Sequence, residues 1–284
     1  MIRFIQQVTV LLVLLTTTLL TAQNFQGKVY YQQKIKTNKE AKKRMDSLKM
    51  KMAPERRAMM DKIMKKFTNK SYILSFNKTA SIFKEEEKLN QPNDGISFKM
   101  PNSGTLYKDL SNKQYIRQKE SFGKVFLIKD SLKKIDWKLE KESKKIGNYL
   151  AFKATAMVEK QKRFSRRGKP EKEIKKDSIK DKKPEFEKLT VWYTPEIPVS
   201  NGPELYQGLP GLILEINRGR KQLIATKIVL NPKEKVEIKA PKKGKVITQK
   251  EYDKIMKKKM EEMRDMYRSN RKNGTGRRHM IFGN

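Results

Sequence analysis

Short apolar alternations separated by turn-forming clusters run through most of this 284-residue chain, and they restrict its fold more than any other feature. In residues 24–37, Val29, Tyr31 and Ile35 share one side while Lys28, Tyr30, Gln32 and Lys34 share the other, the period of a half-buried strand. The pattern returns at Tyr72/Leu74/Phe76, Ile82 and Phe83, Leu106 and Leu110, and in residues 115–119 and 125–128. Between these runs stand Asn77-Lys78, Pro92-Asn93-Asp94-Gly95, Asn102-Ser103-Gly104, Ser111-Asn112 and Phe122-Gly123, each a turn former. Residues 137–139, 147–158, 189–194, 212–216 and 223–230 continue the series, with a further extended piece at 236–238. Such a series predicts a meander of antiparallel strands, hence an α+β domain over residues 23–247.

Two segments change period. In residues 39–67, Met45, Leu48 and Met52 mark one helical stripe and Met60, Ile63, Met64 and Phe67 another, with Pro54 in the first turn of the second helix. At residues 248–268, Thr248 and Glu251 form a capping box ahead of Tyr252, Ile255, Met256, Met260, Met263 and Tyr267 on one side. These Met-rich helices are expected to pack on the sheet. Met45, Met52 and Met59, and Met256, Met260 and Met263, are also spaced so that thioethers could meet a soft metal such as Cu(I), although methionine is an ordinary filler of helix faces. No metal or cofactor is assigned.

The first 22 residues read as a secretory signal: Arg3 supplies charge, residues 8–15 the apolar run, and Leu20-Thr21-Ala22 the cleavage end. The mature chain then begins near Gln23 with no membrane-spanning stretch, and the expected place is the periplasm or the outer membrane's surface. Residues 159–188 are a charged excursion and residues 269–284 a basic tail expected to be disordered.

The formal net charge of +36 asks for an anionic partner, unless it reflects only a lysine-rich surface. Export and the lack of a recognition motif argue against nucleic acid. An envelope protein or a lipid or lipopolysaccharide surface fits better, met by Lys153, Lys160, Lys162, Arg163, Arg166, Arg167, Arg277 and Arg278. The chain has no cysteine and one histidine, His279 in the tail, so disulfides, thiolate sites, a hydrolytic triad and a zinc site are all unsupported. No phosphate-binding loop is present and no catalytic residue is assigned.

The most distinctive string is Tyr206-Gln207-Gly208-Leu209-Pro210-Gly211-Leu212-Ile213, followed by Leu214-Glu215-Ile216 and approached through Trp192-Tyr193-Thr194-Pro195-Glu196-Ile197-Pro198 and Gly202-Pro203. Proline second and glycine third in Leu209-Pro210-Gly211-Leu212 predict a type II turn, and Gly208 and Gly211 also permit close backbone approach. The expected role is closure of the sheet, with Trp192, Leu209, Leu212 and Leu214 inside and the loop from Pro195 through Glu196, Pro198, Gly202, Pro203 and Tyr206 to Gly211 as rim or docking edge. Glu196 and Glu204 are expected to be exposed on it.

These residues resemble the GLPGLI family of Gram-negative envelope proteins, named for the string at Gly208 to Ile213. Phe25-Gln26-Gly27-Lys28-Val29, Trp137, Ile146-Gly147-Asn148-Tyr149 and Lys153-Ala154 fit the same pattern. The chain departs from it at Phe152, where the family commonly has cysteine, and in the length of residues 159–188. The resemblance implies an exported protein of undetermined activity, often encoded near outer-membrane receptor systems. The strand pattern also looks like the open half-barrel of lipoprotein carriers. The expected function is therefore a non-enzymatic binding or accessory protein that holds an apolar ligand or envelope partner on a curved sheet. The alternative is an adapter that docks on an outer-membrane receptor or transport complex without a small ligand.

Overall fold

The computed structural model describes residues 25–36, 38–86, 104–160 and 185–272. The secretory signal, the middle of the charged excursion and residues 273–284 lie outside these residues, while residues 269–272, expected to belong to the disordered basic tail, continue the C-terminal helix. The chain forms β1 (Gln26–Ile35), α1 (Lys39–Met50), α2 (Pro54–Thr68), β2 (Ser71–Asn77), β3 (Ala80–Glu85), β4 (Thr105–Asp109), β5 (Gln114–Ser121) and β6 (Lys124–Ser131). It continues with β7 (Lys138–Ile146), β8 (Tyr149–Glu159), β9 (Phe186–Thr194), β10 (Leu212–Arg218), β11 (Lys221–Leu230), β12 (Lys245–Ile247) and α3 (Gln249–Lys272).

All twelve strands belong to one open sheet in the order β12-β6-β5-β4-β3-β2-β1-β11-β10-β9-β8-β7. Each pair is antiparallel except β12 with β6, a departure from the predicted all-antiparallel meander. The cause is the route of residues 231–244. Val236 N–H donates to Gln26 Oε1, Gln118 Nε2 donates to the Lys243 carbonyl, and Gly244 lies against Val125. Gln26, Gln118 and Val125 all face outward, so this segment straps the outer face and delivers β12 to the far edge beside β6. The extended piece expected at 236–238 is part of that strap, with Val236 buried beneath it.

The sheet curls. Ten inter-strand steps separate β6 from β7, about 48 Å if flat at ~4.8 Å per step. The link from Ser131 to Lys138 reaches at most ~25 Å. Its two ends must therefore approach each other, and the inner face becomes a concavity. Val29, Tyr31, Leu74, Phe76, Phe83, Leu106, Ile128, Leu189, Val191 and Leu223 point into it as one continuous core. The alternation seen in β1 is the local cause, since Gly27, Val29, Tyr31 and Gln33 are buried while their neighbours are not.

The helices contribute less to this core than their stripes suggest. Tyr252 of α3 is buried edge-on against Phe126 with its hydroxyl 2.8 Å from Ser121 Oγ, and Ile255 and Met256 follow it onto the core. The capping box forms as expected, Thr248 N–H donating to Glu251 Oε2 and Glu251 N–H to Thr248 Oγ1. By contrast α1 buries no residue, and α2, which begins at Pro54, has no fully buried side chain among the described ones. The two are joined by a Lys49–Asp61 ion pair and by Arg57 Nε on the Lys49 carbonyl. A periodic stripe specifies a helix but not the surface that receives it.

Candidate functional site

The loop between β9 and β10 enters the concavity after Thr194 and leaves it at Leu212. Ile197, Val199, Asn201, Gly202, Pro203, Tyr206 and Leu209 are buried, whereas Pro195, Glu196, Pro198, Ser200, Gly208 and Pro210 lie outside. Leu212 N–H donates to the Ile197 carbonyl at 3.1 Å and Ile213 N–H to the Asn201 carbonyl at 2.9 Å, so the loop closes on its own exit strand. The loop is thus less a rim than a plug.

Polar side chains from the sheet anchor it. Lys108 on β4 is fully buried, and its Nζ donates to the carbonyls of Gly202 at 2.6 Å and Tyr206 at 3.3 Å. Burial lowers its pKa to about 7, opposed by the nearby Glu204 carboxylate. Tyr31 hydroxyl donates to the Ile213 carbonyl at 2.6 Å, and Trp137 Nε1 to the Gln207 carbonyl at 2.9 Å. Asn201 Oδ1 accepts from Ser81 and from Gly202 N–H, while its Nδ2 is buried without an acceptor among the described residues. At the apex Glu204, at φ 54°, pairs with Lys221. Tyr206 hydroxyl accepts from Arg218, which also holds Glu187 at 2.7 Å. Burial, with help from Glu204, raises the Tyr206 pKa to about 12.

Several expectations change here. Leu209–Leu212 is not a type II turn: Gly211 N–H bonds the Leu209 carbonyl across Pro210, and Gly211 has φ 157° rather than the roughly +80° such a turn needs. Glycine is required at 211 for close approach, because a Cβ there would lie 2.6 Å from Thr194 C and 2.9 Å from Pro195 Cα. Glu196 is exposed as expected, although its Oε1 accepts from Leu150 N–H at 2.7 Å, whereas Glu204 is half-buried and holds Lys221.

Trp192 also departs from its expected place. Val191 and Tyr193 face the core, so Trp192 faces outward opposite Glu215. A bulge between Ile213 and Glu215 lets Leu212, Ile213 and Leu214 all be fully buried in succession. Lys144 Nζ sits 4.2 Å from the Trp192 ring centroid and 2.5 Å from Glu215 Oε2. Glu215, only 3% exposed, also accepts from Asn217 and Gln222. Burial pushes its carboxyl pKa up, but these three donors outweigh it and hold the pKa below the usual range. A depressed carboxylate pKa contributes stability that is present above the unfolded value and is lost as pH falls through the folded one. Glu215→Gln should therefore flatten the acid side of the stability profile, read as denaturant midpoint against pH, by removing this group's share.

Of the basic candidates, Lys160 pairs with Glu185 at 2.9 Å, and Lys162, Arg163, Arg166 and Arg167 lie outside the described residues. Among the described residues no group of three or more His, Cys, Asp or Glu is placed to hold a metal ion, and no helix is long and apolar enough to cross a membrane. Met45, Met52 and Met59 are half-buried on α1, α2 and their link, and Met256, Met260 and Met263 are half-buried on α3. Sequence reasoning missed Lys108, whose one signal was a lysine in phase with the inward Leu106.

A family model described as a protein of unknown function, Porph_ging, matches residues 137–215. That family is of the GLPGLI type. The matched stretch begins at Trp137, which bonds the plug, and ends at Glu215, which the outer network holds. Among solved structures the chain is similar to PNGF-II in its C2 crystal form, at 16% identity and a TM-score of 0.45, over 81% of this chain and 32% of that one. The P21 form of PNGF-II matches at 17% identity and a TM-score of 0.43, over 79% of this chain and 31% of that one. This chain thus spans about a third of the PNGF-II length. No curated protein matches it.

Proposed function

We propose that this protein is a non-enzymatic accessory module of the cell envelope, an adapter that docks a protein partner and carries no small ligand. The reading takes the whole chain as GLPGLI-type, exported by residues 1–22 and built on a half-barrel sheet. One observation carries the choice of adapter over carrier. The concavity where a carrier would hold an apolar ligand is occupied by the chain's own Ile197, Val199 and Leu209, each no more than 2% exposed. The outward side of the same loop presents Pro195, Pro198, Gly208 and Pro210. Prolines with preset φ lose little conformational freedom on binding, so this ridge is a pre-ordered docking surface.

The test is a pull-down from envelope extracts with tagged residues 23–284, followed by lipid extraction of the purified protein. A protein partner should be retained, and Pro198→Lys, at an exposed position, should lose it with an unchanged thermal midpoint. Stoichiometric lipid in the purified protein would favour the carrier and sink the adapter.

A further inference from the structure

Antiparallel pairing brings the ends of β1, β3, β5, β8 and β10 to one end of the sheet, together with the starts of β2, β4, β6, β9 and β11. The α1–α2 hairpin leaves the sheet there, between β1 and β2. Helix α3 points to the same end. Gln249 N–H donates to Asp130 and Tyr115 hydroxyl donates to Gln249, at the far end of β5 and β6, while Tyr252 already reaches Ser121. The twenty residues after Tyr252 rise about 30 Å and run past the sheet.

Exposed apolar side chains collect at this end. Leu48 and Met50 on α1, Phe122 in the β5–β6 turn, Met157 near the end of β8, Phe186 at the start of β9 and Met266 on α3 are all 45% exposed or more. Phe122 is the informative one. It occupies the first central position of a tight hairpin at φ 53°, ahead of Gly123 at φ 70°, where asparagine or glycine would sit without strain. An aromatic side chain held in a left-handed conformation and offered to the outside gains nothing for the core. Strain of that kind collects at sites of function. The setting is basic: Lys124 follows the turn and Lys119 lies over the Tyr252 ring, against the exposed Glu120, and the three helices together carry 19 Lys and Arg against nine Asp and Glu.

We propose that this end of the sheet is an interfacial membrane anchor. Phe122 and the Met263 and Met266 side of α3 enter the headgroup region of an anionic bilayer, while the lysines and arginines of the three helices meet its phosphates. Charge complementarity selects lipid over a second copy of this chain, because two copies meeting through this end would bring two like-charged surfaces together. The anchor goes beyond the adapter reading and stands without it, since the proline ridge lies on the plug loop and different substitutions disable the two.

Flotation of residues 23–284 with vesicles tests it, using phosphatidylglycerol mixed with phosphatidylcholine against phosphatidylcholine alone. Wild type should float with the anionic vesicles only, and less so as salt rises. Phe122→Asn should weaken binding about tenfold, the scale expected for withdrawing one partly buried aromatic ring from the interface. Its thermal midpoint should stay level or rise, because asparagine accepts the positive φ that phenylalanine resists. A midpoint that falls would mean that Phe122 serves the fold. Met266→Asp, at an exposed position of the helix, should give the same loss of binding. Equal flotation with both vesicle types, or undiminished binding by either variant, overturns the anchor. So does a concentration-dependent dimer of the wild type, dissolved by Phe122→Asn, with no vesicle binding; that result assigns the patch to a second copy.

Discussion

Gly211→Ala should destabilise the protein by more than about 4 kcal/mol, the range reached only when a substitution forces backbone or core apart. The added Cβ would fall within the van der Waals radius of the Thr194 carbonyl group, 2.6 Å from its carbon, with Pro195 Cα at 2.9 Å on the same side. These are backbone atoms of the last residue of β9 and of the residue after it, and cannot turn aside as a flexible side chain would. Relief requires β9 and the loop exit to separate, which breaks the Leu212–Thr194 pairing and lifts Leu209 out of the core. Gly208→Ala is the matched control. Gly208 has φ 97°, but its Cβ would meet only Trp137, at an ordinary 3.5 Å. That variant pays for backbone strain alone, about 1–2 kcal/mol. Urea midpoints of the two variants check the ordering, and a Gly211→Ala protein as stable as Gly208→Ala would refute the close-approach account.

Between pH 7 and 10 the wild-type protein should gain stability through Lys108. Its folded pKa is lowered to about 7, against 10.5 for an ordinary lysine. Below pH 7 the group is protonated in both states and the full cost of its buried charge is present. As pH rises toward 10.5 the unfolded chain stays protonated while the folded one does not, so the unfolded state binds more protons and that cost is relieved. Over the whole interval the relief is on the order of 5 kcal/mol. Tyr31, Tyr72 and Tyr206, whose pKa values burial raises, act in the opposite sense above pH 10, so the gain should crest near there. Lys108→Met removes the titrating group while nearly keeping its length. It leaves the Gly202 and Tyr206 carbonyls without their donor, so its absolute stability is not the diagnostic. The slope is: stability of the variant should be close to level between pH 7 and 10. An unchanged slope in Lys108→Met would place the titration elsewhere.

The two halves of the string from Tyr206 to Ile216 differ in how far they could be read. The strand Leu212–Arg218 and the burial of Leu209, Leu212 and Leu214 follow from composition and proline-glycine punctuation within a few residues. The conformation of Gly211 does not, because its constraint is Thr194, seventeen positions earlier and adjacent only once β9 and β10 pair. Trp192 differs, since it stands on the outward side, half-buried, rather than inside with Leu209. Its side follows from the alternation of Val191 and Tyr193 in β9, and what the bulge at Leu214 decides is that Glu215 of β10 stands opposite it. Pro54 at the start of α2 and the Thr248–Glu251 box were legible because each is complete within one helical turn.

What the amino-acid sequence determined by itself is therefore everything whose cause is local: strand alternation, the helix starts, the turns at Asn77 and at Phe122-Gly123, and the polar face of each helix. Tertiary structure alone decided the rest. The loop from Pro195 to Gly211 fills the concavity because the link 132–137 draws the two ends of the sheet together around it. Lys108 becomes a buried clamp because Gly202 and Tyr206, 94 and 98 residues away, present it with carbonyls. The exposed Phe122, Met157, Phe186 and Met266 form one end only after antiparallel pairing has aligned their strands and Tyr252 has aimed α3. Pairings at such separations depend on register and closure, which no short window of residues contains.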